Sequence, residues 1–296
     1  MRRRKIKRLS LFTDFIILNI TLIVVVFFAK KLNIVDFSQK NNYPQMLALA
    51  ADSKNIQDVS LQNKLSVENI KKKYGINIEY GEDVKQIAEK VSATSLDDEN
   101  VINNNIINIK SELEKYPDDF FINMKNNNKY AFTVILLNKF SDDNLALASR
   151  NSLNEYRIYI SNTENFSRAF EHELFHVIEY YMTYKSQNGN LFSDWNNLNP
   201  NSFEYNDDIY SLTSYYVYTD TFSLKNSYFV SKYSKTSEKE DRAEVFAELM
   251  TQKTKPLYFN KNEHIYKKAK YISDIISQNL TFNESTDKLY WNKYLF

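Results

Sequence analysis

The chain of 296 residues predicts an α+β fold: a mixed sheet with an edge strand, a long central helix and a C-terminal helical part, behind an N-terminal transmembrane helix. Three observations carry this. A basic N-terminus runs straight into an apolar stretch of bilayer length. From Leu65 onward, apolar residues at helical spacing interchange with strand-like alternation. Two late amphipathic segments hold the histidines and acids together on helices.

Taken in order, Arg2-Arg3-Arg4-Lys5-Ile6-Lys7-Arg8 precedes an apolar run from Leu11 to Ala29 that would extend roughly 28 Å as a helix. Positive charge stays on the cytoplasmic side, so everything after Lys30 is expected outside the membrane. A cleaved signal peptide is the rival reading, with secretion as its consequence. Phe27-Phe28-Ala29 puts a bulky residue where cleavage wants a small one, and no cysteine offers a lipid anchor. A buried core helix is disfavoured by the basic residues on both flanks. Residues 1–31 are thus the anchor, and 32–64, polar and weakly periodic, a stalk or lead-in helix. Residues 65–296 form the domain.

Within the domain, Val67, Ile70 and Tyr74 recur at helical spacing, Gly75 stops that helix, and Ile76 to Tyr80 alternates as a strand. A second helix spans about Val101 to Tyr116, with Ile102, Ile106, Ile109 and Leu113 on one face, and ends near Pro117. Ala131 to Leu137 reads as a buried strand, and Tyr156 to Ile160 as another.

Residues 1–31 carry eight of the 38 basic side chains and one of the 37 acidic ones, so the remainder is mildly acidic, about −6. It has no global basic field, which argues against nucleic acid as a partner. The absence of cysteine excludes disulfides, thiolate ligands and a cysteine nucleophile, leaving His and carboxylate to hold any metal. Nothing in the sequence sets an oligomeric state.

Two of the three histidines fall in His172-Glu173-Leu174-Phe175-His176. On a helix, His172 and His176 project from one face one turn apart, close enough for both to reach one zinc ion. Glu173, rotated about 100° from His172, can take a proton from a metal-activated water. Ser161 and Glu164 read as the capping box of this helix, and Phe170, Leu174, Val177, Ile178 and Tyr181 as its apolar stripe. The bland alternative, histidines merely packed beside carboxylates, would need this spacing to be accidental.

A catalytic zinc usually has three protein ligands. The segment Glu240-Asp241-Arg242-Ala243-Glu244-Val245-Phe246-Ala247-Glu248 reads as a helix with a Ser237 to Glu240 capping box and Ala243, Phe246, Ala247 and Met250 as its apolar stripe. Glu240, Asp241, Glu244 and Glu248 share another face. Such a run is ordinarily a solvated acidic surface, but the missing third ligand makes it a candidate source. Asp241 and Glu179 are further candidates for orienting the imidazoles. His264 reads as a packing or surface residue. The Asn-, Ser- and Tyr-dense stretch from Tyr184 to Tyr228 is either one wall of a cleft or an ordinary insertion.

Phe170 to Glu179 (FEHELFHVIE), Phe229 to Tyr233 (FVSKY) and Glu240 to Glu248 (EDRAEVFAE) together resemble the bacterial extracellular gluzincins related to the protease domain of anthrax toxin lethal factor. The resemblance runs from about Leu65 to about Ile276. It implies a zincin-like fold and a zinc-dependent endopeptidase acting on a peptide or protein substrate. By the same resemblance Glu244 is the third zinc ligand and Tyr233 the residue that stabilises the tetrahedral intermediate, although the Tyr233 to Glu244 spacing is longer than in lethal factor. Glu173 is then the general base, and an extended substrate is expected along an edge strand containing Ile158 and Ile160. A catalytically silent zincin-like protein that binds a surface component is the competing reading, and the intact catalytic positions argue against it.

Overall fold

The structure, a computed structural model, describes residues 43–126, 131–142, 144–151, 155–186, 191–206 and 227–296. The expected anchor, residues 32–42 of the stalk, and 187–190 and 207–226 of the tyrosine-dense stretch lie outside these residues, while 43–64 of the stalk are helical. Among the described residues no helix is long and apolar enough to cross a membrane. The chain divides into two compact units, Met1–Gln57 and Asp58–Phe296. Apart from the first part of helix α1, residues 43–57, the second holds everything described below.

Helix α1 (Tyr43–Tyr74) ends at Gly75, whose φ of +73° places it in the left-handed region that favours glycine. Strand β1 (Ile76–Glu79) follows at once. A 3₁₀ turn at Gly81–Val84 leads through α2 (Lys85–Lys90) to the short strand β2 (Ala93–Ser95). Helix α3 (Glu99–Leu113) begins at Asp98, whose carboxylate accepts from the N–H groups of Asn100 and Val101. Its face of Ile102, Ile106, Ile109 and Leu113 is buried, as the spacing predicted. After α4 (Phe120–Asn126) come β3 (Ala131–Phe140), β4 (Ala146–Arg150) and β5 (Glu155–Ser161). The long helix α5 (Phe166–Ser186), then α6 (Glu238–Thr251) and α7 (His264–Asn279), complete the α+β architecture.

The sheet is mixed. β1, β3 and β5 run parallel, while β2 pairs antiparallel with the far end of β3 and β4 antiparallel with β5. Two expectations change here. β5, with Ile158 and Ile160, lies between β3 and β4, and β4 is the strand at the edge. Alternation alone cannot separate an interior strand from an edge one, and Ala-Leu-Ala-Ser-Arg carries little β-propensity to announce itself. Nor does Ser161 cap a helix: it pairs with Leu137 as the last residue of β5, its hydroxyl donates to the Leu145 carbonyl, and α5 starts only at Phe166. Extension of the strand ladder prevails over the local capping pattern.

Helix α5 packs on the sheet, with Phe170, Leu174, Val177 and Ile178 all fully buried in the core. On its other side it meets α6, where Phe175 and Phe246 pack in a tilted arrangement with ring centroids 4.8 Å apart.

Candidate metal centre

α5 and α6 lie antiparallel, so residues four apart on each helix form successive rungs. Arg168 meets Glu248, His172 meets Glu244, and His176 meets Glu240. The capping chemistry of α6 places the last of these. Ser237 is the N-cap, and its hydroxyl accepts from the Glu240 N–H at 3.3 Å. In a full capping box the glutamate would reach back to the cap residue's own N–H. Here Oε2 of Glu240 is turned to the imidazoles instead.

Nε2 of His172 is 2.9 Å from Oε2 of Glu240, Nε2 of His176 is 3.3 Å from the same oxygen, and the two ring nitrogens are 3.2 Å apart. Among the described residues, His172, His176 and Glu240 form a group whose potential ligand atoms all lie within 4.8 Å of one another. Zinc held tetrahedrally at about 2.0–2.1 Å has ligand atoms about 3.3 Å apart, so the triangle already has nearly the size of one tetrahedral face. Its chemistry fits equally well. Two imidazole nitrogens and a carboxylate oxygen are all acceptors when unprotonated, and only a cation or a proton lets them converge.

Electrostatics show what a proton does there. Burial alone would lower His172, but hydrogen bonds to Glu240 and Glu244 outweigh it and raise its pKa from 6.5 to about 10. Burial likewise opposes ionisation of Glu240, yet hydrogen bonds from His172 and His176 hold its carboxyl well below the usual carboxylate range. Glu244 behaves alike: despite burial, the Arg168 charge and the His172 hydrogen bond hold it low.

Glu244 is not part of the triangle. Its Oε1 lies 2.9 Å from Nδ1 of His172, on the opposite side of the ring, and its Oε2 accepts from Nη2 of Arg168 at 2.8 Å. The carboxylate grouped with the two imidazole Nε2 atoms is thus Glu240, one turn earlier than the resemblance implied. The antiparallel register explains this, since it puts Glu240 level with His176 and Glu244 level with His172. Asp241 and Glu179, the candidates for contacting the imidazoles, are bonded elsewhere, and the carboxylate beside Nδ1 of His172 is Glu244. Asp241 faces away, bonded to Lys268, Trp195 and Tyr205. Glu179 accepts two bonds from Arg242, at 2.7 and 3.2 Å.

Glu173 is buried beside the triangle. Burial raises its carboxyl, against the lowering pull of His172 and His176, and the Ala148 N–H of β4 donates to it. The ring of Tyr233, in a 3₁₀ turn just before α6, stacks near that of His172 at 5.7 Å. Both catalytic candidates therefore come to the histidines. His264 does not; it stacks on Tyr228 at 3.6 Å. Of the stretch after Tyr184, residues 191–206 are fastened to α6 by Trp195 and Tyr205. Arg168 is the participant that sequence reasoning missed. The available signal was the four-residue repeat Arg168, His172, His176 against Glu240, Glu244, Glu248.

No protein-family model, curated protein or solved structure matches the chain.

Proposed function

We propose that the chain is a zinc-dependent endopeptidase of zincin-like fold, with His172, His176 and Glu240 as metal ligands. The observation that carries this is the triangle of acceptor atoms, 2.9, 3.2 and 3.3 Å on its edges, beside a buried glutamate. Oxygen-only sites suit magnesium or calcium, whereas two imidazoles and one carboxylate suit zinc. When bound, zinc supplies Lewis acidity to a water and to the scissile carbonyl.

The chain's own groups divide the remaining work. Glu173, raised by burial, accepts the proton of the attacking water and passes it to the leaving amine. The Tyr233 hydroxyl donates to the oxygen on which negative charge develops. Glu244 accepts from Nδ1–H of His172 and so fixes the tautomer that leaves Nε2 free as a donor to metal.

The edge strand supports an extended substrate. Ser161 N–H to Leu145 O and Asn151 N–H to Glu155 O show that odd-numbered residues of the 145–151 segment bond to β5. The backbone groups of Ala146 and Ala148 therefore point away from β5, as the Ala148 bond to Glu173 requires. An extended peptide adds there as a further strand and lies across the Glu173 carboxylate. With residues 1–31 as an anchor, the domain would act at the outer face of a membrane.

Cleavage profiling against a broad peptide library tests the reading. Wild type is expected to cut, to stop with chelator and to resume with added zinc, while Glu173→Gln cuts about 10³- to 10⁴-fold more slowly. Chelator-resistant cleavage, or full activity in Glu173→Gln, would sink it.

A further inference from the structure

We propose that Arg168 is a positioning residue for the metal centre, acting through Glu244 on the ring of His172. This rests on the reading of His172, His176 and Glu240 as ligands. Arg168 lies one turn before His172 on α5, with its side chain only 11% exposed. Its planar fork grips two acids of α6 at once, Nη2 on Oε2 of Glu244 at 2.8 Å and Nη1 on Oε2 of Glu248.

The far end of the fork is itself held. The other oxygen of Glu248 accepts from the Tyr258 hydroxyl and, at 2.6 Å, from Nε2 of Gln252. A fixed chain of bonds thus runs from Tyr258 through Glu248, Arg168 and Glu244 to Nδ1 of His172. A carboxylate gripped by one oxygen cannot turn about its own axis, so its other oxygen stays aimed at the imidazole. Ser231 also reaches Glu244 by a side-chain hydrogen bond, but a rotatable hydroxyl does not set the carboxylate plane as a guanidinium does. Lysine at 168 would supply charge without the fork.

The same helices provide an internal control. Arg242 and Glu179 make an equally buried two-bond clamp between α6 and α5, yet neither touches a residue that holds an imidazole. If Arg168 merely glued the helices together, the two clamps would be interchangeable.

The test titrates full-length wild type and variants with zinc against a chromophoric chelator of known affinity, and melts the metal-free proteins in parallel. Arg168→Met is expected to weaken zinc about tenfold and Arg168→Lys about threefold. Arg242→Met should melt earlier with wild-type affinity. Because Arg168→Met leaves Glu248 without its guanidinium, the double variant Arg168→Met/Glu248→Gln removes that charge and should still show the tenfold loss. The inference is overturned if the double variant binds zinc like wild type, or if Arg242→Met weakens zinc as much as Arg168→Met. A wild type that binds no zinc overturns the ligand reading, and this inference with it.

Discussion

Two polar clusters lie on opposite faces of α6, one residue apart in the chain. Towards α5, Oε2 of Glu240 converges on the Nε2 atoms of His172 and His176, three acceptors drawn together. Towards α7, Asp241 is met by donors: Nζ of Lys268 at 2.6 Å, Nε1 of Trp195 at 3.1 Å and the Tyr205 hydroxyl at 2.8 Å. In the second cluster all three donors meet on Oδ2, while the buried Oδ1 has no hydrogen-bond partner among the described residues. Asp241 and Lys268 are both fully buried, and burial pushes the acid up and the amine down, so the pair holds against a desolvation that favours the neutral forms. The first cluster needs a positive charge between its members, which His172 supplies by keeping a proton to about pH 10. Donors that meet on one acceptor hold a fold together, whereas converging acceptors ask for a cation.

The sharpest way to separate the clusters is to remove the base beside the first. Glu173→Gln should cut the cleavage rate by about 10³- to 10⁴-fold while the protein keeps its metal, measured as turnover alongside elemental content. Lys268→Met should act on the other cluster alone. It leaves Asp241 buried without its countercharge and should cost about 3–5 kcal/mol in chemical unfolding, with zinc affinity per folded molecule unchanged. Wild-type stability combined with lost cleavage in that variant would break the comparison, because Lys268 would then belong to the reaction. Tyr233→Phe should lower kcat about 100-fold with KM little altered, as expected for a donor that matters only in the transition state.

The smallest effect is a matter of protons. His172 is raised above 6.5, so its stabilisation of the metal-free protein is complete below pH 6.5 and lost as pH rises through about 10. Glu240 and Glu244 are lowered, so theirs is present above pH 4.5 and lost as pH falls through their folded values. The metal-free protein should therefore show this site's full contribution between pH 4.5 and 6.5. At pH 7 zinc must displace the His172 proton, and calorimetry in buffers of different ionisation enthalpy should find about one proton released per ion. No release would mean that His172 is not a ligand.

Much of this was legible in the sequence wherever a periodic pattern met a stop signal. α3 ends its isoleucine face at Leu113 just before Pro117, and α1 gives way to β1 across Gly75. His172, Glu173 and His176 needed only helical geometry to be brought together. What escaped notice depended on long-range register. β4 has too weak a pattern to be seen before it pairs with β5, and β5 cannot be recognised as interior until β4 covers it. The choice between Glu240 and Glu244 was equally hidden, because both lie on one face of α6 and only the antiparallel docking on α5 levels Glu240 with His176. Arg168 was signalled only by its four-residue spacing from His172, which gains meaning once α6 docks with Glu244 and Glu248 opposite it.

Zinc content of the full-length chain, compared among wild type, Glu240→Gln and Glu244→Gln, tests the central claim most directly. One zinc per chain is expected in the wild type. Glu240→Gln should lose it, and Glu244→Gln should retain it with affinity weakened about 10- to 100-fold, as for a partner of a ligand. A wild type without stoichiometric metal, or a Glu240→Gln protein that binds zinc as tightly as wild type, would contradict the account.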